Sequence, residues 1–456
     1  MSTLTKSTGP HPQSTGRQRP SKPAKATAVE KSAPSHAPIS PARQAAFAIL
    51  DRVATTSAHS DDLLHGPGMS ALSQADRNLA TTLVLGVLRW QIALDARMQP
   101  LLQRPDLALP SPVATALRMG AFQLQHLDRI PAHAALSESV ELVRAAGHGH
   151  AAGMVNAILR KLTREPASKP KLYETTANFA VRLAHPEWLV SRWVRTYGRT
   201  AALAMCAYDQ QPPTQGTLFT PPDPTDDPTQ TLPHIDDGSR LVAELAAASH
   251  PNPNRIWDCC AAPGGKTLIL SRRHATADLL ASDANPRRLQ SLAARLHTDA
   301  PQVRTLEADA TKLPATEPPF DLILCDVPCS GTGTLGRNPE IKQRLQPSDL
   351  ARQATRQREI LASALTHLAP GGHLLYSTCS LEPEENENVV ADILASLPPN
   401  TDITTISLEP ALTRLSKNKI LAAAPPTNLL RNGHLRTLPG VEFRGDGFFA
   451  TLFHRT

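Results

Sequence analysis

From Arg255 onward, short apolar runs stop again and again on a polar side chain, and helix-length segments separate them. The runs end at Asp258, Asp283, Asp309 and Asp326, and a fifth, 373–376, stops at Ser377. Helical stretches such as 286–296 and 350–368 lie between them. Strands alternating with helices predict a mostly parallel sheet covered on both faces, because parallel neighbours need long crossover connections. In such sheets the ligand site lies at the carboxyl ends of the strands. Residues 254–456 are therefore expected to form an α/β Rossmann-like domain with four carboxylates gathered at one edge.

Upstream the period changes. Ser40-Pro41 is a helix-start signal, and Ala46, Ile49, Leu50 and Val53 follow at i, i+3, i+4, i+7. Ser73-x-x-Asp76 opens a second helix, Ser111-Pro112 a third, and apolar stripes around Leu136 and Ile158 mark two more. Residues 41–165 read as an all-α bundle, and 1–40 as a basic, disordered Pro/Ser/Thr-rich tail. Residues 166–253 read as a connecting region. A helical patch with Trp188 and Trp193 leads into 212–253, where nine prolines suggest a linker or loops.

The chain has 456 residues, enough for two or three domains. Its formal charge of +6 sits almost wholly in the tail, because the remainder is close to balanced. Over 43–165 there are 12 Lys/Arg, eleven of them Arg, against 10 acids. Charge alone therefore carries no argument for nucleic-acid binding by the folded part. Six cysteines (Cys206, Cys259, Cys260, Cys325, Cys329, Cys379) are too irregular for a disulfide framework, and no apolar signal segment opens the chain. Both observations point to free thiols in a cytoplasm. The longest apolar stretch, 78–94, is broken by Arg89, so no membrane partner is expected. Cys325 and Cys329 have half a metal-site spacing with no complementary pair, so no metal is expected.

The first strand runs into Cys259-Cys260-Ala261-Ala262-Pro263-Gly264-Gly265-Lys266-Thr267. Paired glycines at a strand-to-helix turn let backbone approach a ligand and present helix N-terminal amides. The run lacks the first glycine of a Walker loop and is not a G-x-G-x-x-G dinucleotide pattern. Asp283 ends the second run, where an acid grips ribose hydroxyls, and Asp309 is placed to meet an adenine amino group. Without a phosphate-binding signal these residues imply a nucleoside cofactor, and S-adenosylmethionine fits best.

The fourth run gives Asp326-Val327-Pro328-Cys329, not the Asp/Asn-Pro-Pro-aromatic of exocyclic amine methylation. The fifth delivers Thr378-Cys379 to the same edge. The C5 carbon of a pyrimidine is a poor nucleophile until a thiolate adds to C6, and two thiols allow one to attack while the other helps release product. Asp326 is the candidate to hold the base, with Lys266 orienting its carboxylate. Glu382-Pro383-Glu384-Glu385-Asn386-Glu387 also has a plainer reading, a solvated helix start.

Segments 260–267, 326–342, 377–388 and Gly445-Asp446-Gly447-Phe448-Phe449 resemble the RNA 5-methylcytosine methyltransferases. The helical segment, notably Ala75-Asp76-Arg77 and 151–162, is similar to the antitermination factor NusB. The pairing resembles the bacterial 16S rRNA methyltransferases of the RsmB/Sun/Fmu group. That resemblance implies Cys379 as nucleophile and Cys329 in product release. It also implies cofactor contacts from Cys260, Ala261, Ala262, Pro263, Gly264, Gly265, Lys266, Asp283, Asp309 and Asp326. The implied enzyme is a monomer acting on RNA, either 16S rRNA at cytosine 967 or a small-subunit assembly intermediate. The same chemistry on tRNA or 23S rRNA is the alternative, and a non-catalytic ribosome-assembly module is the rival from another class. Two stretches depart from the family pattern, 214–219 and Asp236-Asp237-Gly238-Ser239-Arg240, and both are expected in an accessory RNA-contact region.

Overall fold

The computed structural model describes residues 38–164, 174–213, 216–221, 232–314, 316–423, 428–441 and 443–456. The tail up to residue 37 and part of the 212–253 segment lie outside them.

The bundle comprises α1 (Pro41–Thr55), α2 (Ser60–Leu64), α3 (Pro67–Ser70), α4 (Gln74–Met98), α5 (Ser111–His126), α6 (Ala132–Ala145) and α7 (Ala152–Leu162). The α1 stripe is buried as its spacing requires, and Ser73 caps α4 by accepting the Asp76 N–H at 3.1 Å. The short helices α2 and α3 carry only brief start signals, Asp61 and Asp62 in the first turn of one and Pro67 opening the other. Gln74–Leu101 is long and apolar enough, by length and composition, to cross a membrane. Its Leu83, Val84, Val87 and Leu94 lie in the bundle core, which accounts for that apolarity without a membrane.

The connecting region is more ordered than its prolines suggest. Helices α8 (Thr176–Arg182), α9 (Glu187–Tyr197) and α10 (Arg199–Asp209) share a core containing Phe179, Leu189, Trp193 and Cys206. Leu335, Leu381 and Leu438, from beyond residue 254, complete that core. Helix α11 (Asp237–Ser249) occupies much of the stretch read as linker, and Leu241, Val242, Leu245 and Ala246 are fully buried in the core beneath the sheet. The prolines that suggested a linker flank this helix and do not interrupt it. Its signals were Asp236 as N-cap, accepting the Gly238 N–H at 2.7 Å, and the apolar pairs 241–242 and 245–246.

The sheet contains β1 (Arg255–Asp258), β2 (Asp278–Asp283), β3 (Arg304–Glu307), β4 (Phe320–Asp326), β5 (Leu368–Thr378), β6 (Ile403–Ile406), β7 (Leu430–Arg431), β8 (His434–Arg436) and β9 (Phe449–Arg455). Its order is β3-β2-β1-β4-β5-β9-β8-β7, with β6 also paired to β9. The first five strands are parallel, whereas β9 runs antiparallel to β5. Helices α12 (Gly265–Arg273), α13 (Pro286–Asp299), α14 (Ile341–Arg344), α15 (Pro347–Thr366), α16 (Glu387–Ser396) and α17 (Glu409–Lys417) complete the domain. Asp258, Asp283 and Asp326 end their strands as read, but β3 stops at Glu307, two residues short of Asp309.

Residues 336–344, just beyond the Pro-Cys segment, are laced into the bundle. Arg89 Nε and Nη2 both donate to the Gly336 carbonyl, at 3.0 and 2.7 Å. Lys342 Nζ donates to the Arg89 carbonyl at 2.7 Å, and Arg344 Nη2 to those of Val53 and Ala58. Glu340 accepts the N–H and hydroxyl of Ser60. Arg89, Glu340 and Lys342 are all buried, and burial pushes the Lys342 ammonium down to about 7. Hydrogen bonds to charged groups are worth about 1.5–3 kcal/mol. Arg89→Ala is expected to lower unfolding free energy by about that much in urea titration; an unchanged midpoint would show that the bundle seam contributes nothing.

Candidate active site

The functional groups gather at and just beyond the carboxyl ends of β1 to β5. After β1 the chain turns at Gly264, whose φ of +96° is left-handed backbone suited to glycine. A Cβ there would lie 2.6 Å from Leu292 Cδ1, and one at Gly265 would lie 2.8 Å from Ile235 Cγ2. Both glycines are thus also explained by packing against protein, not by ligand approach alone. The loop is held from α13, where Arg288 Nη2 donates to the Ala262 carbonyl at 2.6 Å and Arg295 Nη1 to that of Pro263 at 3.3 Å. Ala261 N–H donates to the Ser282 carbonyl at 2.8 Å.

A cavity of ≈ 370 Å³ opens beside this loop. Cys260, Asp283 and Asp309 line it, together with Pro328, Arg356 and Ile360. Asp283 is only 5% exposed and accepts the Asn285 N–H at 2.9 Å through Oδ1, with Arg288 3.6 Å from Oδ2. Asp309 is exposed at the rim and accepts the Thr311 N–H at 3.0 Å, a bond that holds its carboxyl below the usual range. A nearly buried acid with apolar walls at Pro328 and Ile360 suits a nucleoside. Ala261, Ala262, Pro263, Gly264, Gly265, Lys266 and Asp326 do not line this cavity. Among its walls, Pro328, Arg356 and Ile360 were not singled out from sequence, since α15 reaches the cavity only through the tertiary fold.

The second group of residues begins one position beyond Pro328. Cys329 Sγ and Cys379 Sγ stand 3.3 Å apart, both partly accessible. The hydrogen bond with Cys379, together with burial, pushes the Cys329 thiol well above its usual range. Lys266 Nζ lies 2.8 Å from Asp326 Oδ2, and Ser377 Oγ donates to Asp326 Oδ1 at 2.7 Å. Burial would lower the Lys266 pKa, but the Asp326 carboxylate outweighs it and keeps the ammonium charged. The Phe448 ring centroid is 5.3 Å from that ammonium, so the C-terminal motif reaches the site. Cys259 and Cys325 are buried with their sulfurs 3.4 Å apart, as small core residues.

One reading changes. Glu382, Glu385 and Asn386 are 1%, 0% and 0% exposed, so of this stretch only Glu387, the first residue of α16, is a solvated helix start. Asp236 is half-buried with its carboxylate enclosed, accepting the Asp446 N–H at 2.9 Å and a bond from Arg337 Nη2 at 2.8 Å. Asp236, at the start of the atypical 236–240 stretch, thus ties the C-terminal motif down.

Residues 246–454 match the family described as 16S rRNA methyltransferase RsmB/F, and residues 40–164 match the NusB family. A chain from Bacillus subtilis named "Probable ribosomal RNA small subunit methyltransferase B" is 30% identical over 449 residues, 89% of this chain and 97% of that one. The chain belongs to the RsmB/F family. A Citrobacter koseri relative, named ribosomal RNA small subunit methyltransferase B, is 30% identical over 84% of this chain and 92% of its own length. The crystal structure of PH0851 shares the fold at a TM-score of 0.69 and 19% identity, over 92% of this chain and all of that one. This family member is an S-adenosylmethionine-dependent rRNA methyltransferase, with a NusB-type helical domain ahead of its α/β domain.

Two outcomes follow from this geometry. Burial raises Asp258 to about 7, against the Thr267 hydroxyl that donates to it at 2.7 Å. The folded chain then binds more protons than the unfolded one between about 4 and 7, so this group's stabilisation is lost as pH rises through that window. Thermal melts of Asp258→Asn across pH 4–7.5 are expected to fall less steeply than the parent's; identical slopes would contradict the assignment. Asp283→Ala is expected to bind S-adenosylmethionine about tenfold to a hundredfold more weakly by calorimetry, and unchanged affinity in a folded protein would remove Asp283 from the cofactor site.

Proposed function

We propose that the chain methylates C5 of a single cytosine of 16S rRNA, cytosine 967, through a covalent bond between Cys379 and C6 of the base. The observation that carries this reading is the 3.3 Å thiol pair, one residue from a wall of the nucleoside-sized cavity. The names of the relatives support a small-subunit substrate, and the resemblance supports the nucleotide.

The Cys379 sulfur adds to C6, and the C5=C6 electron pair moves to make C5 nucleophilic. S-adenosylmethionine, when bound, supplies an electrophilic methyl group. Asp283 and the cavity walls would hold its nucleoside, and 260–266 would border it. Asp326, fixed by Lys266 and Ser377, takes the cytosine at N3 or its amino group. After transfer the C5 proton passes to a solvent base, its bonding pair re-forms C5=C6, and the S–C6 pair leaves with the Cys379 sulfur as a thiolate that the Cys329 thiol protonates. Cys329 faces the departing sulfur and serves that release. The helical bundle, 41–165 as read from sequence, docks the RNA, and 254–456 carries the chemistry. The enzyme works as a monomer in the cytoplasm on 16S rRNA or an assembly intermediate, without a membrane or a metal.

The thiols are separated by their failures. Cys379→Ala is expected to form no protein–RNA adduct on denaturing electrophoresis, whereas Cys329→Ala accumulates one and turns over at most once. An adduct trapped only in Cys379→Ala would make Cys329 the nucleophile.

A further inference from the structure

We propose that Glu385 is a positioning residue that gives the two active-site cysteines different jobs, by fixing a buried negative charge on the Cys329 side of the pair. The proposal rests on the thiol roles above and asks what makes two neighbouring cysteines unequal.

Glu385 is fully buried and accepts four hydrogen bonds. Oε1 takes the Ser330 N–H at 2.8 Å and Gln357 Nε2 at 3.0 Å. Oε2 takes the hydroxyls of Ser330 and Ser380. Ser330 follows Cys329 and Ser380 follows Cys379, so one carboxylate clamps the residue after each thiol. Gln357 also donates to the Pro328 carbonyl at 2.9 Å, which ties α15 to the same loop. Asn386 extends the clamp, accepting from Thr378 Oγ1 and donating to the Ser380 carbonyl at 2.9 Å.

The surrounding charges are arranged asymmetrically. Around Cys329 stand the Cys379 thiol, the Glu385 carboxylate and the Tyr376 hydroxyl, which itself donates to the Glu385 carbonyl at 2.7 Å. Around Cys379 stand Cys329 and the Lys266 ammonium, the latter already paired with Asp326. A nearby negative charge disfavours a thiolate and a nearby cation favours one. Cys379, then burial, then Glu385 push the Cys329 thiol upward, so Cys329 is held as the thiol.

The test is alkylation of the free full-length enzyme by iodoacetamide across pH 6–10, each cysteine quantified by peptide mass spectrometry. In the parent, Cys379 reacts before Cys329. Glu385→Gln preserves the shape and removes the charge. In it the half-alkylation pH of Cys329 is expected to fall by at least about one unit, while Glu385→Asp restores the parent order. A merely structural role would change melting temperature and leave the Cys329 titration in place, which overturns the proposal. Should Glu385→Gln fail to fold, Cys379→Ala carries the test. There Glu385 still keeps Cys329 slower than a free cysteine, and ordinary reactivity overturns the proposal. None of these readouts needs RNA, so they fail separately from the adduct experiment that tests Cys379 as nucleophile.

Discussion

Gly333 sits where three distant segments cross, and its two backbone hydrogen bonds set the spacing on which the site depends. Its N–H donates to the Cys379 carbonyl at 2.9 Å, and its carbonyl accepts the Gly447 N–H at 2.7 Å. A Cβ there would lie 2.1 Å from the Gly447 oxygen and 2.9 Å from the Cys379 oxygen, so any side chain would force the segments apart. The crossing brings the Pro-Cys loop to the end of β5, which carries the second thiol. It also brings the C-terminal Gly-Asp-Gly-Phe run down onto the site, where the Phe448 ring meets Lys266. Backbone contact this close tolerates little drift, because neither partner can rotate away as a side chain can.

The same loop continues directly into the seam with the helical bundle. Arg89, Glu340 and Lys342 are buried there, and each makes a hydrogen bond across the seam or accepts one. Buried charges of this kind contribute little net stability compared with apolar packing, but they penalise any misaligned arrangement heavily, since a charge left unpaired in the interior is costly. The seam therefore reads as a device of register. The α8–α10 core makes the coupling hydrophobic as well, because Leu335 and Leu381, flanking the two thiol loops, are part of it. The two thiol loops are thus held between the sheet on one side and the helical region on the other.

Much of this could be read from the chain alone. The alternation of apolar runs and helices determined the parallel part of the sheet, β1 to β5, and the edge that carries Asp258, Asp283 and Asp326, but not the antiparallel strands β6 to β9. The stripes at 3.6 spacing determined the bundle, and the Pro-Cys and Thr-Cys motifs singled out Cys329 and Cys379. These signals are local, because strand and helix periodicity and turn chemistry act over a few residues.

What only the tertiary structure decided is the work of the charged residues. Glu385 and Asp236 look like surface acids in sequence, since a carboxylate in a polar run is usually solvated. Their carboxylates are enclosed because donors arrive from elsewhere in the chain: Ser330 and Gln357 for one, Arg337 and Asp446 for the other. The prolines of 212–253 hid α11 in the same way, because its apolar face has meaning only against the sheet that covers it. Local pattern determines which segments form and which face is apolar. Whether a polar group is solvated or enclosed depends on partners far away in sequence, and only the packed fold supplies them.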